Sequence, residues 1–499
     1  INVDGAVAGQ TGIFARTGTG AINIGTLLDR STGPITAAGG PGVYAETAGN
    51  IGIHVGAVSA TGGDPVTFDA DRHPTPLSSQ SGYGILALSS AGTVTIDANG
   101  LVSGGAAGGI YARTAGTNAL SISTAAVTAA AGDAIQADAF GGNISIVTTG
   151  AINAALVGIE ANNRNGGAIS ILSGGSVTSG AGTNGINARA NGAGTVTIGS
   201  TEQRTGPVVA GATGVFATSE GDINVAVGSV TGATRGIVAS NQRATGSLAV
   251  LNGRVVIDAS GPVTGETSYG IIGINNGLLA DNTLTIRTAG PVTSTSGSAI
   301  SAQTIGGNID ITAQGSILSN AGPTWFGDGI YAEASGTGAV SVLATGASIS
   351  GYDGIYTATR ATSGIGIDVQ TTGVVSGLTQ FGLYGRALGA SVNLASQGTA
   401  TGVLGGLVAT TSGGSGNVTV STANADSANG MGVSATITNA GTGLVRVNVT
   451  GASTVSGVTG VLATTDGSGA VTVASNTAGS RVIGTGGAGV QASANGGLL

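Results

Sequence analysis

The chain has 499 residues, of which 96 are glycine and only 8% are charged, and its formal net charge is −8. The glycines follow no Gly-X-Y period, which excludes collagen; Pro plus Gly, 105 of 499 residues, falls below the usual signature of a disordered low-complexity chain, and a hydrophobic fraction of 41% is enough for a core. All 15 basic residues are arginine and they form no basic stripe, which argues against a phosphate-tracking nucleic-acid binder.

Cysteine is absent, so disulfides, thiol catalysis and Cys-based zinc sites are excluded, and export through an oxidising compartment is compatible. No apolar run reaches the roughly 18 residues of a membrane helix, so no membrane insertion is expected in this segment. Ile1-Asn2-Val3-Asp4 is already repeat-like rather than a signal peptide, which reads as a mature or internal piece.

The first recognisable unit is Gly12-Ile13-Phe14-Ala15, and it recurs to the end of the chain. Aligned on Gly-Ile/Val/Leu-x-Ala, the anchors fall at Gly12, Gly42, Gly84, Gly109, Ala134, Gly158, Gly185, Gly214, Gly236, Gly270, Ala299, Gly329, Gly354, Gly382, Gly406, Gly432, Gly460 and Gly489. The mean spacing is about 28 residues, within the range of solenoids, propellers and arrays. After each anchor comes an alternating phrase such as Thr93-Val94-Thr95-Ile96 or Asn143-Ile144-Ser145-Ile146. A Gly-x-Val-x-Gly phrase follows, as in Gly175-Ser176-Val177-Thr178-Ser179-Gly180. Period-two alternation, β-branched residues and intervening Gly, Asn, Ser and Thr predict three short strands per repeat, with helical periodicity missing throughout. Three strands in about 28 residues make one coil of a parallel β-helix, whereas a propeller blade needs four strands and about 40 residues.

The fold predicted is therefore all-β: one elongated, continuous parallel β-solenoid over residues 1–499, about 18 coils of three strands. The right hand is expected from the preference of parallel crossovers. At about 4.8 Å per coil such a solenoid is roughly 85 Å long. Within the anchor strand, side-chain alternation places positions +1 (Ile, Val or Leu) and +3 (mostly Ala) inside, and +2 and +4 outside. Anchors run close to both termini without an amphipathic cap, which points to a chain that continues beyond both ends or stacks on copies of itself.

The longest anchor interval, Gly42 to Gly84, predicts a surface-loop insertion near 61–82 carrying Asp64, Asp69, Asp71 and His73. Asp69, Asp71 and His73 alternate, but their spacing fits no calcium motif, and the expectation is a solvated polar loop with no metal. A second insertion near 318–328 carries Trp325 and Phe326.

The +2 position holds Phe14, Tyr44, Tyr111, Phe216, Tyr331, Tyr356 and Tyr384. Tyr331, Tyr356 and Tyr384 lie on consecutive coils and are expected to stack as an exposed ladder suited to binding or lateral association. Asp328 and Asp353 each precede an anchor and should lie close together, so their charges repel unless a cation, a proton or an offset relieves them. Paired carboxylates beside aromatics fit a sugar-cleaving groove, yet Asp before Gly is ordinary turn chemistry, which is the reading favoured. Trp325, Phe326, Asp328, Tyr331, Asp353, Tyr356 and Tyr384 thus form the candidate ligand face, with no catalytic residue assigned and no cofactor implied.

Gly-Ile-x-Ala followed by Gly-x-Val-x-Ile and Gly-x-Val-x-Gly resembles the Gly/Ala/Thr-rich β-helical passenger regions of bacterial autotransporters. It is also similar to two-partner secreted exoproteins of the filamentous-haemagglutinin type, although the period here is longer. The resemblance covers essentially the whole chain and rests on repeat style. It implies secretion across an outer membrane and display at a bacterial surface as a non-enzymatic, structural or adhesive stalk, with glycans or proteins of a host or matrix as partners. A self-assembling surface filament or surface-layer subunit is the alternative, and a β-helical polysaccharide lyase or hydrolase ranks below it.

Overall fold

The structure, a computed structural model, describes residues 1–26, 33–62, 82–242, 253–321, 327–346, 348–475, 477–496 and 498. The central parts of both expected insertions, including Asp64, Asp69, Asp71, His73, Trp325 and Phe326, lie outside the described residues. No helix occurs among the described residues. The fold is a parallel β-solenoid of about 17 turns with three strands per turn. The chain divides into two compact units, Ile1–Ala233 with Ile237–Leu251, and Thr234–Gly236 with Asn252–Leu499.

In the first unit the anchor strands pair in parallel from Ile13–Arg16 to Thr213–Ser219. Their +1 residues form one register column, Ile13, Val43, Ile85, Ile110, Ile135, Ile159, Ile186 and Val215. The +3 column beside it is alanine at every level, from Ala15 to Ala217. The second face stacks Ile22, Ile51, Val94, Leu120, Ile144, Ile169, Val196 and Ile223. The third runs from Val7 through Ile35, Val58, Val102 and Val127 to Val230. The second unit repeats the plan, with +1 residues aligned from Ile271 and Ile300 to Val461 and Val490. Each of the eighteen anchors sits at the start of an anchor-face strand, immediately before it or as its second residue.

At most levels the anchor is glycine because a Cβ would collide with its surroundings. A Cβ on Gly109 would lie 2.2 Å from Val127 Cγ1 on the third face and 2.4 Å from the Ala134 carbonyl of the next coil. Gly42 meets the same two obstacles, Val58 Cγ1 at 2.4 Å and the Gly84 carbonyl at 2.6 Å. The interior corner between third strand and anchor strand is therefore closed by backbone, and the Ile/Val columns seal it from water. Burial of these branched side chains supplies the main driving force, at about 25 cal/mol per Å² of apolar area.

A second corner, between the anchor strand and the second face, is sealed by polar side chains at +5. Thr47 Oγ1 donates to the Gly20 carbonyl at 2.7 Å, Ser89 to Gly49 at 2.9 Å, Thr114 to Gly92 at 3.0 Å and Thr411 to Ala390 at 2.8 Å. These hydroxyls also accept local amides, as Ser89 Oγ does from Gly92 at 2.7 Å. Buried backbone groups at the turn are thereby satisfied without water.

One orientation differs from the sequence expectation. The +2 side chains alternate with the interior columns, yet Tyr44, Leu86 and Tyr111 are fully buried, as are Gln136, Glu160 and Asn187. Tyr44, Leu86 and Tyr111 form a separate cluster with Tyr83 and Ala107 from the preceding turn, with Leu88 packed against it. Strand alternation sets the side on which +2 lies; side chains from the turn cover that side. Phe14 remains 56% exposed, although its ring stacks on Tyr44 at 4.8 Å between centroids.

Substituting Gly109 by valine is expected to cost about 1–3 kcal/mol by forcing two coils apart. Gly18, whose Cβ would meet nothing within 4 Å, serves as the control. Urea midpoints of Gly109→Val and Gly18→Ala measure the difference; equal midpoints would refute the steric account.

Candidate functional site

The candidate face lies in the second unit, on three consecutive anchor strands: Ile330–Ala334, Ile355–Thr359 and Phe381–Ala387. Register pairs Tyr331 with Tyr356 and Tyr356 with Tyr384. Their rings stack at 5.2 Å for both pairs, with interplanar angles of 4° and 16°. Phe381 extends the stack, 5.1 Å from the Tyr384 ring. The expected ladder is present, but its rings are half-buried rather than exposed, because each ring covers its neighbour and flanking turns take part of the rest.

Burial raises all three phenols. Desolvation, followed by the Coulombic effect of Tyr384, pushes Tyr356 up to about 12. Tyr331 is raised by burial and then by its hydrogen bond to Glu333, and Tyr384 by burial despite the opposing Arg386 charge. The phenols therefore remain neutral hydroxyls at any physiological pH. Tyr331 donates to a Glu333 carboxylate oxygen, and the Ile-Tyr-Ala-Glu stretch that does this has a counterpart in Val43-Tyr44-Ala45-Glu46, where Tyr44 donates to Glu46.

Beside the ladder runs a groove of about 340 Å³ lined by Glu333, Tyr356, Arg360, Arg386 and Leu388. Its walls come from +4 and +6, the positions where the anchor strand turns away toward the second face. The sequence marks Glu333 and Arg386 as outward polar residues, but nothing in the alternation reveals that the turn beyond them leaves a concave strip. Phe381 is likewise missed, since it occupies the pre-anchor position, which holds aspartate on the two preceding coils.

Asp328 and Asp353 do come together, though not as a solvent-facing pair. They are 3% and 4% exposed. Asp328 Oδ1 accepts the Asp353 amide at 3.1 Å, and Asp353 Oδ1 accepts the Phe381 amide at 2.8 Å. Asp133 does the same one unit earlier, accepting the Val157 amide at 2.9 Å. A pre-anchor carboxylate thus hooks the amide at the same position of the next coil. Burial raises Asp328 to about 7, with the nearby Asp353 adding to it, and raises Asp353 to about 6. The expected repulsion contributes to the Asp328 shift, and a proton retained to near neutrality relieves it.

The chain matches no known protein family, curated protein or solved structure. The functional reading therefore rests on the faces of the solenoid. Among the described residues no group of three or more His, Asp or Glu side chains is placed to hold a metal ion.

The sign of the pH effect follows from the Asp328 shift. Its folded value of about 7 lies above the ordinary 3.8, so the folded chain holds a proton that the unfolded chain releases. Stability is then fullest below pH 4 and declines as pH rises toward 7. Asp328→Asn keeps an acceptor for the Asp353 amide and removes the charge. It is expected to gain on the order of 2 kcal/mol over the parent at pH 8 and little at pH 4. Urea melts at both pH values check this; a variant less stable at pH 8 would show the carboxylate to be stabilising.

Proposed function

We propose that this chain is an extracellular, non-enzymatic adhesive solenoid, displayed at or secreted from a bacterial surface in the manner of autotransporter passenger regions. The supporting observation is the half-buried Tyr331–Tyr356–Tyr384 stack beside a groove flanked by Glu333, Arg360 and Arg386. A row of neutral phenols against an apolar wall, with charges of both signs at its edge, suits a glycan or a protein surface whose apolar and polar groups alternate. Stacked aromatic rings have lost their freedom before any partner arrives, which lowers the cost of binding.

Other features agree with this reading. A Cys-free chain passes through oxidising compartments without mispairing. The core is a thin stack of Ile, Val and Ala columns, so variable chemistry resides on the outer faces. The two carboxylates that resemble a catalytic pair are engaged with backbone amides, which supports assigning no catalytic residue.

The test is binding of the purified chain to arrayed host and matrix glycans and proteins. Tyr356→Ala combined with Tyr384→Ala is expected to weaken the signal about tenfold, the scale of an aromatic hot spot; an unchanged signal would remove the ladder from the binding face. Asp353→Asn is expected to leave binding intact, and neither protein should release reducing ends from acidic or neutral polysaccharides. Cleavage by the parent that vanishes in Asp353→Asn would make the chain an enzyme.

A further inference from the structure

A second concave strip lies in the first unit, away from every residue discussed above as a ligand site. It follows the corner where the anchor strands turn toward the second face, and its main part has a volume of about 650 Å³. Arg16, Glu46, Leu88, Ser89, Ser90 and Arg113 line it. Arg113 and Ala115 also belong to an adjoining cleft of about 220 Å³ that continues past Asp138 and Phe140 to Arg164. The two form one strip crossing six coils.

Its charges are arranged unevenly. Glu46 is neutralised locally, by Arg16 Nε at 3.1 Å and by the Tyr44 hydroxyl. Asp138 is 3% exposed, accepts from Tyr111 at 3.2 Å and Asn162 at 3.3 Å, and is raised by burial. Arg113, in contrast, makes no hydrogen bond or ion pair among the described residues, and it sits where the two clefts join. The acids are thus internally engaged, and Arg113, in register beside Asp138, keeps guanidinium donors that no side chain of the described residues takes up.

We propose that this strip binds an extended acidic polysaccharide lying along the stack of coils. Three features favour that occupant over a compact anion. The strip is long and open, and Arg16, Arg113 and Arg164 recur along it at intervals of three and two coils, about 10–15 Å. A sugar ring is about as long as one coil is tall, so an extended polyuronate offers roughly one residue per coil and can set a carboxylate at the level of each arginine. Between the arginines, the Ser89 and Ser90 turn and the Leu88 side chain supply hydroxyl, backbone and apolar contacts, the mixture that sugar rings require. Guanidinium groups bind carboxylate or sulfate through paired donors, so both acidic types share the site.

This proposal does not depend on the tyrosine ladder. The probes are an oligogalacturonate, which carries carboxylates only, a heparin oligosaccharide, which adds sulfates, and a dextran oligosaccharide as the neutral control. The chain is expected to bind one or both acidic probes and not dextran, with affinity falling as salt is raised; which acidic probe binds more tightly identifies the anion. Arg113→Glu is expected to weaken that binding about tenfold or more. Arg446→Glu makes the same change in net charge at an exposed second-face position and should have little effect. Because Arg113 lies in register beside Asp138, the neutral Arg113→Gln is paired with Arg113→Glu: it should also weaken binding while keeping the parent's β-sheet circular dichroism and melting temperature. Equal loss in Arg113→Glu and Arg446→Glu, dextran binding as tight as that of the acids, or no binding of either acidic probe would each overturn the proposal.

Discussion

Everything in this fold depends on how closely one coil's backbone approaches the next at the anchor position. A methyl group on Gly109 would overlap both a valine of its own coil and a carbonyl of the following one. That contact fixes the height and the rotation of each coil against its neighbour. Once two anchors are superposed, the +1 isoleucines, the +3 alanines and the valines of the third face must superpose as well. Each coil buries its apolar row only against its neighbours, so stability is a sum of nearest-neighbour terms, each needing the same register.

Register converts the sequence into columns, and columns impose a rule on every outward position. Like residues meet themselves at about 4.8 Å. Aromatic rings accept this, and the Tyr331–Tyr356–Tyr384 stack is the result. Charges do not, so opposite signs meet: Arg16 against Glu46, Arg113 against Asp138, Asp258 against Arg287. Where acids do recur at one position, as at Asp328 and Asp353, the side chains hook successive amides and hold a proton to near neutrality. In the first unit the outward polar column links Tyr111, Asp138, Asn162, Glu160, Asn187 and Arg189 by hydrogen bonds and ends with Arg189 over the Phe216 ring at 5.1 Å. A continuous ladder of this kind leaves few groups unengaged, which is why Arg113 stands out.

The repeat was readable because the anchor tolerates so little. Glycine recurs wherever the backbone must pass close, and Ala134 and Ala299 show the small latitude that exists. Strand alternation placed Tyr331, Tyr356 and Tyr384 on one face and brought them into a stack. It failed for Tyr44 and Tyr111, because alternation reports the side of a strand and says nothing of the neighbouring turn, here Tyr83 and Ala107, that covers it. The charged grooves escaped for a related reason: they are made by the direction of the turn after +4. Asp328 and Asp353 read in the sequence as turn residues before glycine, whereas their hold on the next coil's amide depends on stacking that only three dimensions provide.

The register itself is the claim to test, and a chain without cysteine makes the test clean. Ser145 and Ser170 are register partners on adjacent coils of the second face, and Thr285 and Asp310 are their equivalents in the other unit. Paired cysteines at each couple, treated with a short thiol-bridging reagent, should link within one chain in high yield, since parallel neighbours lie within bridging distance. Moving one cysteine two residues along the strand, to Leu172 or to Thr312, should abolish most of the linkage. Equal yields for aligned and displaced pairs, or a higher yield for the displaced ones, would contradict the stacking on which the account is built.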